Sequence, residues 1–324
     1  MKRAFCLFLC WAVCLARRFA GELAVAGYLP DYRFYIDLNQ TALYLTDLYL
    51  FSVQMNPTLG EMMLTGCCLG QDHLVKAKQA VAYKKEVSGR QLTLWLTIGG
   101  GGRSEGFQTL NGKEKYRQFV KAVELISKEY GIGGIDFDHE ALRNHQDVVG
   151  FFRFIVAVAP ALRKLGLSVS IAIHVGFSIP AQVYEAIDRI NVMTYDYPFA
   201  RLEEVTSSIN TLIDSGIPSE KVFLGIPAYG RHQQHVGRVM TFAEIVDAAG
   251  THVVERVQGP WNEFKFDPPS VVRQKVRLAK EKRLGGVFMW ELGQDKQLNI
   301  FPGGILLEAM QSEAEKHTLL SDEL

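Results

Sequence analysis

Eight short apolar runs, each followed by a longer charge-studded stretch, constrain this chain more than any other feature. The runs are LAVAGYL (23–29), LTDLYLFSVQM (45–55), QLTLWLTIGG (91–100), GGIDFDHE (133–140), LSVSIAIH (167–174), DRINVMTYD (188–196), KVFLGIPAYG (221–230) and GGVFMWEL (285–292). Several are nearly continuous in Val, Ile, Leu and aromatic residues, the pattern of strands covered on both faces, as in parallel sheets. The stretches 73–87, 113–131, 147–166, 202–216 and 270–286 carry apolar residues at three- and four-residue steps, the period of helices buried on one side. Eight strands alternating with helices predict an α/β fold, a closed (β/α)8 TIM barrel. A doubly wound open sheet is the alternative, but no G-x-G-x-x-G follows the first run. The widest gap, Arg231 to Leu284, predicts a modest insertion between strands 7 and 8 of a single domain.

The chain ends carry different signals. Lys2 and Arg3 precede an apolar run from Ala4 to Leu15, the layout of a secretory signal peptide cut after Ala16 or Ala20. A buried N-terminal helix is the alternative reading. These features predict a signal peptide over 1–20, a barrel over 21–320 and a separate tail over 321–324. The tail, Ser321, Asp322, Glu323 and Leu324, resembles the KDEL-type signal that returns proteins to the endoplasmic reticulum. The expected location is the secretory pathway: the ER lumen if the retention receptor reads the tail, and secretion otherwise. No later stretch is expected to be long and apolar enough to span a bilayer. Cys6, Cys10 and Cys14 would leave with the signal, so Cys67 and Cys68 cannot build a disulfide framework. Asn39-Gln40-Thr41 is a glycosylation sequon.

Lys+Arg and Asp+Glu balance at 35 each, so no charge excess argues for nucleic acid or an anionic membrane. The chemistry lies instead in GGIDFDHE. On a strand, alternation turns Asp136, Asp138 and Glu140 to one face and Ile135, Phe137 and His139 to the other. At about 3.3 Å per residue, Glu140 stands nearest the C-terminal mouth, where such barrels place their reaction sites. A buried carboxyl ladder is costly unless protonated, paired or used. Asp136 and Asp138 are expected to share a proton, and Glu140 to act as a general acid. A solvated acidic strand end and a metal site completed by His174 and Asp196 are the alternatives.

That stretch resembles the D-G-x-D-x-D-x-E signature of glycoside hydrolase family 18, the chitinase-like hydrolases. TIGG (97–100), MTYD (193–196), GIPAYGR (225–231), GGVFMWELGQD (285–295) and GYLPDYR (27–33) resemble the same family's other strand motifs, in order. The resemblance implies hydrolysis of β-1,4-linked N-acetylglucosamine by substrate-assisted retaining catalysis. Glu140 would be the acid, Asp138 would orient the substrate acetamido group, Asp136 would support Asp138, and Tyr195 would bond the acetamido carbonyl. Trp290 would floor the reacting sugar, with Tyr28, Met193 and Asp196 as further substrate-binding residues. The implied partner is an N-acetylglucosamine-containing oligosaccharide or glycan, either chitin or the chitobiose core of N-glycans, and neither metal nor cofactor is implied. A non-catalytic chitooligosaccharide-binding lectin on the same barrel is the alternative. Arg231 is equally compatible with a sugar contact or a loop cap, and Trp261 with a sugar platform or a loop anchor. The sequence departs from the signature at Gly133, where an Asp would be expected to back up Asp136. Thr97 replaces a serine, and His139 is expected to pack outward.

Overall fold

The computed structural model describes residues 23–56, 62–63, 68–196, 201–255 and 260–316. The expected signal peptide, retention tail and Cys67 lie outside these residues.

All eight predicted strands form. They are β1 (Ala24–Pro30), β2 (Asp47–Met55), β3 (Thr93–Gly99), β4 (Ile132–Asp138), β5 (Ser168–His174), β6 (Arg189–Met193), β7 (Val222–Pro227) and β8 (Gly286–Trp290). Each pairs in parallel with its sequence neighbours, and β1 pairs with both β2 and β8, which closes the sheet into an eight-stranded barrel. A ring of helices covers it: α1 (Leu38–Leu43), α2 (Gln71–Ser88), α3 (Lys113–Tyr130), α4 (His145–Lys164), α5 (Ala181–Ala186), α6 (Leu202–Asp214), α7 (Pro269–Glu281) and α8 (Ile305–Glu315). Closure leaves no sheet edge among these strands and sorts side chains by parity. Outward residues such as Ile135, Phe137 and Ile171 join the helices in one core. Tyr28, Tyr49, Trp95, Phe223 and Phe288 fill the lumen in a second core.

Two expectations change. The run 221–230 is not one strand. It leaves the barrel after Pro227, and Tyr229–His232 pairs instead with Val239–Thr241 and Phe264–Lys265 in a small antiparallel sheet. That sheet, with a helix at Phe242–Ala249, is the insertion between β7 and β8. The second correction concerns membranes. By length and composition α4 could cross a bilayer, contrary to the expectation that no such stretch exists. Its apolar residues are those of a core helix: Phe151, Phe154, Ile155, Val158 and Leu162 are buried.

The barrel's lower end, where the strands begin, is closed by a buried ion pair. Arg189 Nη2 lies 3.0 Å from Asp47 Oδ1, and its guanidinium sits 4.5 Å from the ring centres of both Trp95 and Phe223. Trp95 Nε1 donates to the same Asp47 oxygen at 2.8 Å. Above Trp95 the rings of Tyr49 and Tyr28 stack in turn, at 5.1 and 4.6 Å, and carry the lumen up to Trp290.

Candidate active site

The acidic ladder stands where β4 delivers it. Asp136 and Asp138 are buried in the lumen, and the strand ends at Asp138. Glu140 has left the strand and is exposed at the mouth, its backbone N–H held 3.1 Å from Ser104 Oγ. The three carboxyls therefore meet three environments.

Asp136 is fully supplied with donors. Its Oδ2 accepts from the Tyr28 hydroxyl at 2.9 Å and Thr97 Oγ1 at 3.0 Å. Its Oδ1 accepts from Ser170 Oγ at 2.6 Å and Asn191 Nδ2 at 3.3 Å. Burial still lifts its pKa to about 6, against the pull of those four bonds. Asp138 has no such support. Its Oδ1 is buried with no hydrogen-bond partner among the described residues. Burial, then the charges of Glu140 and Asp136, then a hydrogen bond with Glu140 hold its pKa well above the carboxylate range. Asp136 is thus equipped to carry charge, and Asp138 to hold a proton on its Glu140 side. The expected sharing of a proton between Asp136 and Asp138 shifts upward, because the donors go to Asp136.

The glycines of TIGG are forced by contact. Gly99 and Gly100 have φ of +97° and +95°. A Cβ on Gly99 would lie 2.1 Å from the Asp138 carbonyl oxygen, and one on Gly100 would lie 2.2 Å from Phe51 Cζ. This close approach lets the Gly100 N–H donate to the Asp138 carbonyl at 2.6 Å and fixes the rung below Glu140.

Trp290, at the end of β8, faces β4 across the mouth and is partly exposed. Phe51 meets it edge-on at 4.7 Å, and Tyr28 lies under it at 5.5 Å. Tyr28 itself is only 2% exposed, and its hydroxyl joins Asp136 to Asn191. It stands behind the floor rather than on the substrate side. Met193 is buried in the same luminal core. Tyr195 is buried just past β6, with a pKa raised by burial, so its hydroxyl stays a donor. Asp196 accepts from Arg231 Nε at 2.7 Å and from the Tyr229 hydroxyl, in a small cleft that Tyr195 and Pro227 also line. Arg231 thereby ties the insertion's sheet to the mouth. Trp261 pairs with Phe264 in a tight turn and packs, partly buried, against the outer core.

Gly133 does not belong to the ladder. It lies at a register shift between β3 and β4, and a Cβ there would meet Thr93 Cγ2 at 2.9 Å. Asp136 draws its donors from β1, β3, β5 and β6. His139 stacks on Phe107 at 4.6 Å and meets Phe151 edge-on, and burial lowers its pKa to about 4. Asn39 is exposed on α1, and Cys68 is buried. Among the described residues no group of three His, Cys, Asp or Glu is placed to hold a metal. Ser170, Asn191 and Ser104 join the site through hydrogen bonds that no sequence motif marks. Ser170 and Asn191 do interrupt apolar strand runs at inward positions, which is the signal that would have found them.

A family model described as "Glycosyl hydrolases family 18" matches residues 25–295. Endochitinase 1 of Metarhizium robertsii is 23% identical over 282 residues, covering 68% of this chain. The chain spans 65% of that relative's length. Among solved structures, the chitinase ChiB of Flavobacterium johnsoniae superposes with a TM-score of 0.75 at 22% identity, over 91% of this chain and 94% of that one. The chitinase of Cycas revoluta in complex with (GlcNAc)3 gives 0.75 at 21% identity, over 90% of this chain and 99% of that one.

Proposed function

Because the chain belongs to family 18 of the glycosyl hydrolases, we propose that it hydrolyses β-1,4-linked N-acetylglucosamine with help from the substrate's own acetamido group. The observation that carries this reading is the state of Asp138. It offers a buried acceptor, Oδ1, with no partner among the described residues, beside an exposed carboxyl, Glu140. An acetamido N–H is the donor such an acceptor lacks. The other carboxyls near the mouth are engaged: Asp196 with Arg231, and Glu291 with Arg33 at 2.8 Å. No free second carboxylate stands ready among them to attack the sugar.

In the proposed reaction Glu140 gives its proton to the glycosidic oxygen as the bond to the anomeric carbon breaks. The acetamido oxygen closes on that carbon to form an oxazolinium ion, while Asp138 accepts from the acetamido N–H and orients it. Tyr195 donates to the acetamido oxygen, and Trp290 lies under the apolar face of the ring. Water then opens the oxazolinium from the side the leaving group left, and its proton returns to Glu140. The anomeric configuration is retained. Asp136, charged and held by four donors, fixes Asp138 from below.

The test is turnover of a fluorogenic chitobioside and, separately, of a labelled high-mannose glycopeptide. Cleavage of the first assigns chitooligosaccharides, and cleavage of the second the N-glycan core. Glu140→Gln should lower kcat by about 10³-fold, within the range for a general acid, and leave chitooligosaccharide binding in place. Binding without turnover of either substrate by the native protein would make it a lectin and end the enzymatic reading.

A further inference from the structure

Glu140 has two flanking walls, and they differ sharply. On the β3 side lies Gly101, exposed and without a side chain. A Cβ there would sit 3.6 Å from Glu140 Oε1 and 3.7 Å from Oε2. Gly102 beside it is also exposed. On the β5 side stands His174, the last residue of the strand, with Nε2 4.0 Å from Glu140 Oε2 and 60% of its side chain exposed. That separation is too long for a hydrogen bond and too short to fit a water in line. Among the described residues the imidazole has no hydrogen-bond partner, so its ring N–H is free to meet a ligand.

The position of the acid dictates what that ligand is. A leaving group protonated by Glu140 must place its oxygen at hydrogen-bonding distance from the Glu140 carboxyl, about 2.7 Å. The atoms beyond that oxygen therefore pass within reach of a side chain 4 Å from the same carboxyl. The floor for the reacting sugar, Trp290 on β8, lies across the barrel. His174 cannot serve that floor, and it lines the side from which the leaving group departs.

We infer that His174 is a binding residue for the leaving-side sugar, donating its ring N–H to a hydroxyl or acetamido oxygen of that sugar across from the bare Gly101–Gly102 wall. The inference rests on Glu140 being the acid of the proposed hydrolysis. It assigns the chain a preference for leaving groups that present hydrogen-bond acceptors over flat aryl ones.

The experiment compares chitotetraose, which leaves a sugar on the His174 side, with an aryl chitobioside, which leaves a phenol. In His174→Ala the ratio of kcat/KM for chitotetraose to that for the aryl substrate should fall about tenfold, the size of one lost hydrogen bond. His174→Gln, which keeps an N–H donor near the same place, should recover most of it. An equal loss on both substrates in a folded variant, or no loss on either, overturns the inference. If the native protein hydrolyses neither substrate, the enzymatic reading fails separately. The contact is then read from chitotetraose affinity: a tenfold weaker Kd in His174→Ala supports it, and an unchanged Kd refutes it.

Discussion

The two ends of the barrel lumen each bury a carboxylate, and they treat it in opposite ways. At the lower end Asp47 faces a guanidinium at 3.0 Å and an indole N–H at 2.8 Å, and the cation is itself sandwiched between two rings. At the mouth Asp138 has no cation among its influences. Its neighbours are two further carboxyls, and one oxygen is left without a partner. The first arrangement minimises the cost of burying charge. The second leaves that cost standing, which a protein tolerates only where the group is used. In a barrel of this kind the division follows position: stability at the bottom of the strands, chemistry at the top.

The largest effect should come from breaking the matched end. Arg189→Met leaves Asp47 buried without its cation and should cost about 3–5 kcal/mol in denaturant unfolding. Adding Asp47→Leu should restore most of the loss, because no uncompensated charge remains. If the single variant is as stable as the native protein, the lower pair is not what closes the barrel.

At the unmatched end the same kind of change should hurt function and spare the fold. Asp138→Asn should lower kcat about 10²-fold, or about 2.7 kcal/mol of barrier. Its effect on stability has the opposite sign. A carboxyl whose folded pKa is raised binds more protons folded than unfolded, so it lowers stability as pH climbs above the ordinary carboxylate value of about 3.9. Asn removes that penalty. The variant should match the native protein in acid and equal or exceed it at neutral pH when melting temperatures are compared. A variant that is inactive and also much less stable at neutral pH would show Asp138 to be a structural group.

The sequence made one side of this comparison visible and hid the other. The alternation of apolar runs and amphipathic stretches carried the barrel, because burial on both faces leaves a periodic trace. The spacing of Asp136, Asp138 and Glu140 placed the ladder for the same reason. What the chain could not display was partnership across strands. Arg189, Asp47 and Trp95 lie far apart in sequence and meet only when β2, β3 and β6 share a lumen. The donors to Asp136 come from β1, β3, β5 and β6. Gly133 is hidden in the same way: the register shift it occupies between β3 and β4 leaves no mark on the motif.

The smallest effect probes the rung between the two ends. Thr97→Val removes one of the four donors to Asp136 at nearly constant shape. A hydrogen bond to a charged group is worth about 1.5 kcal/mol at the low end of its range. Only the charged form of Asp136 needs that donor, so its loss should push the Asp136 pKa above its present value of about 6. The variant's deficit in stability should then be present at neutral pH and shrink as pH falls through about 6, where the folded carboxyl takes up its proton and no longer needs the donor. Unfolding curves of the two proteins at acid and neutral pH decide it. A deficit of the same size at both would mean that Thr97 acts by packing alone, and that Asp136 does not carry the charge that sets it apart from Asp138.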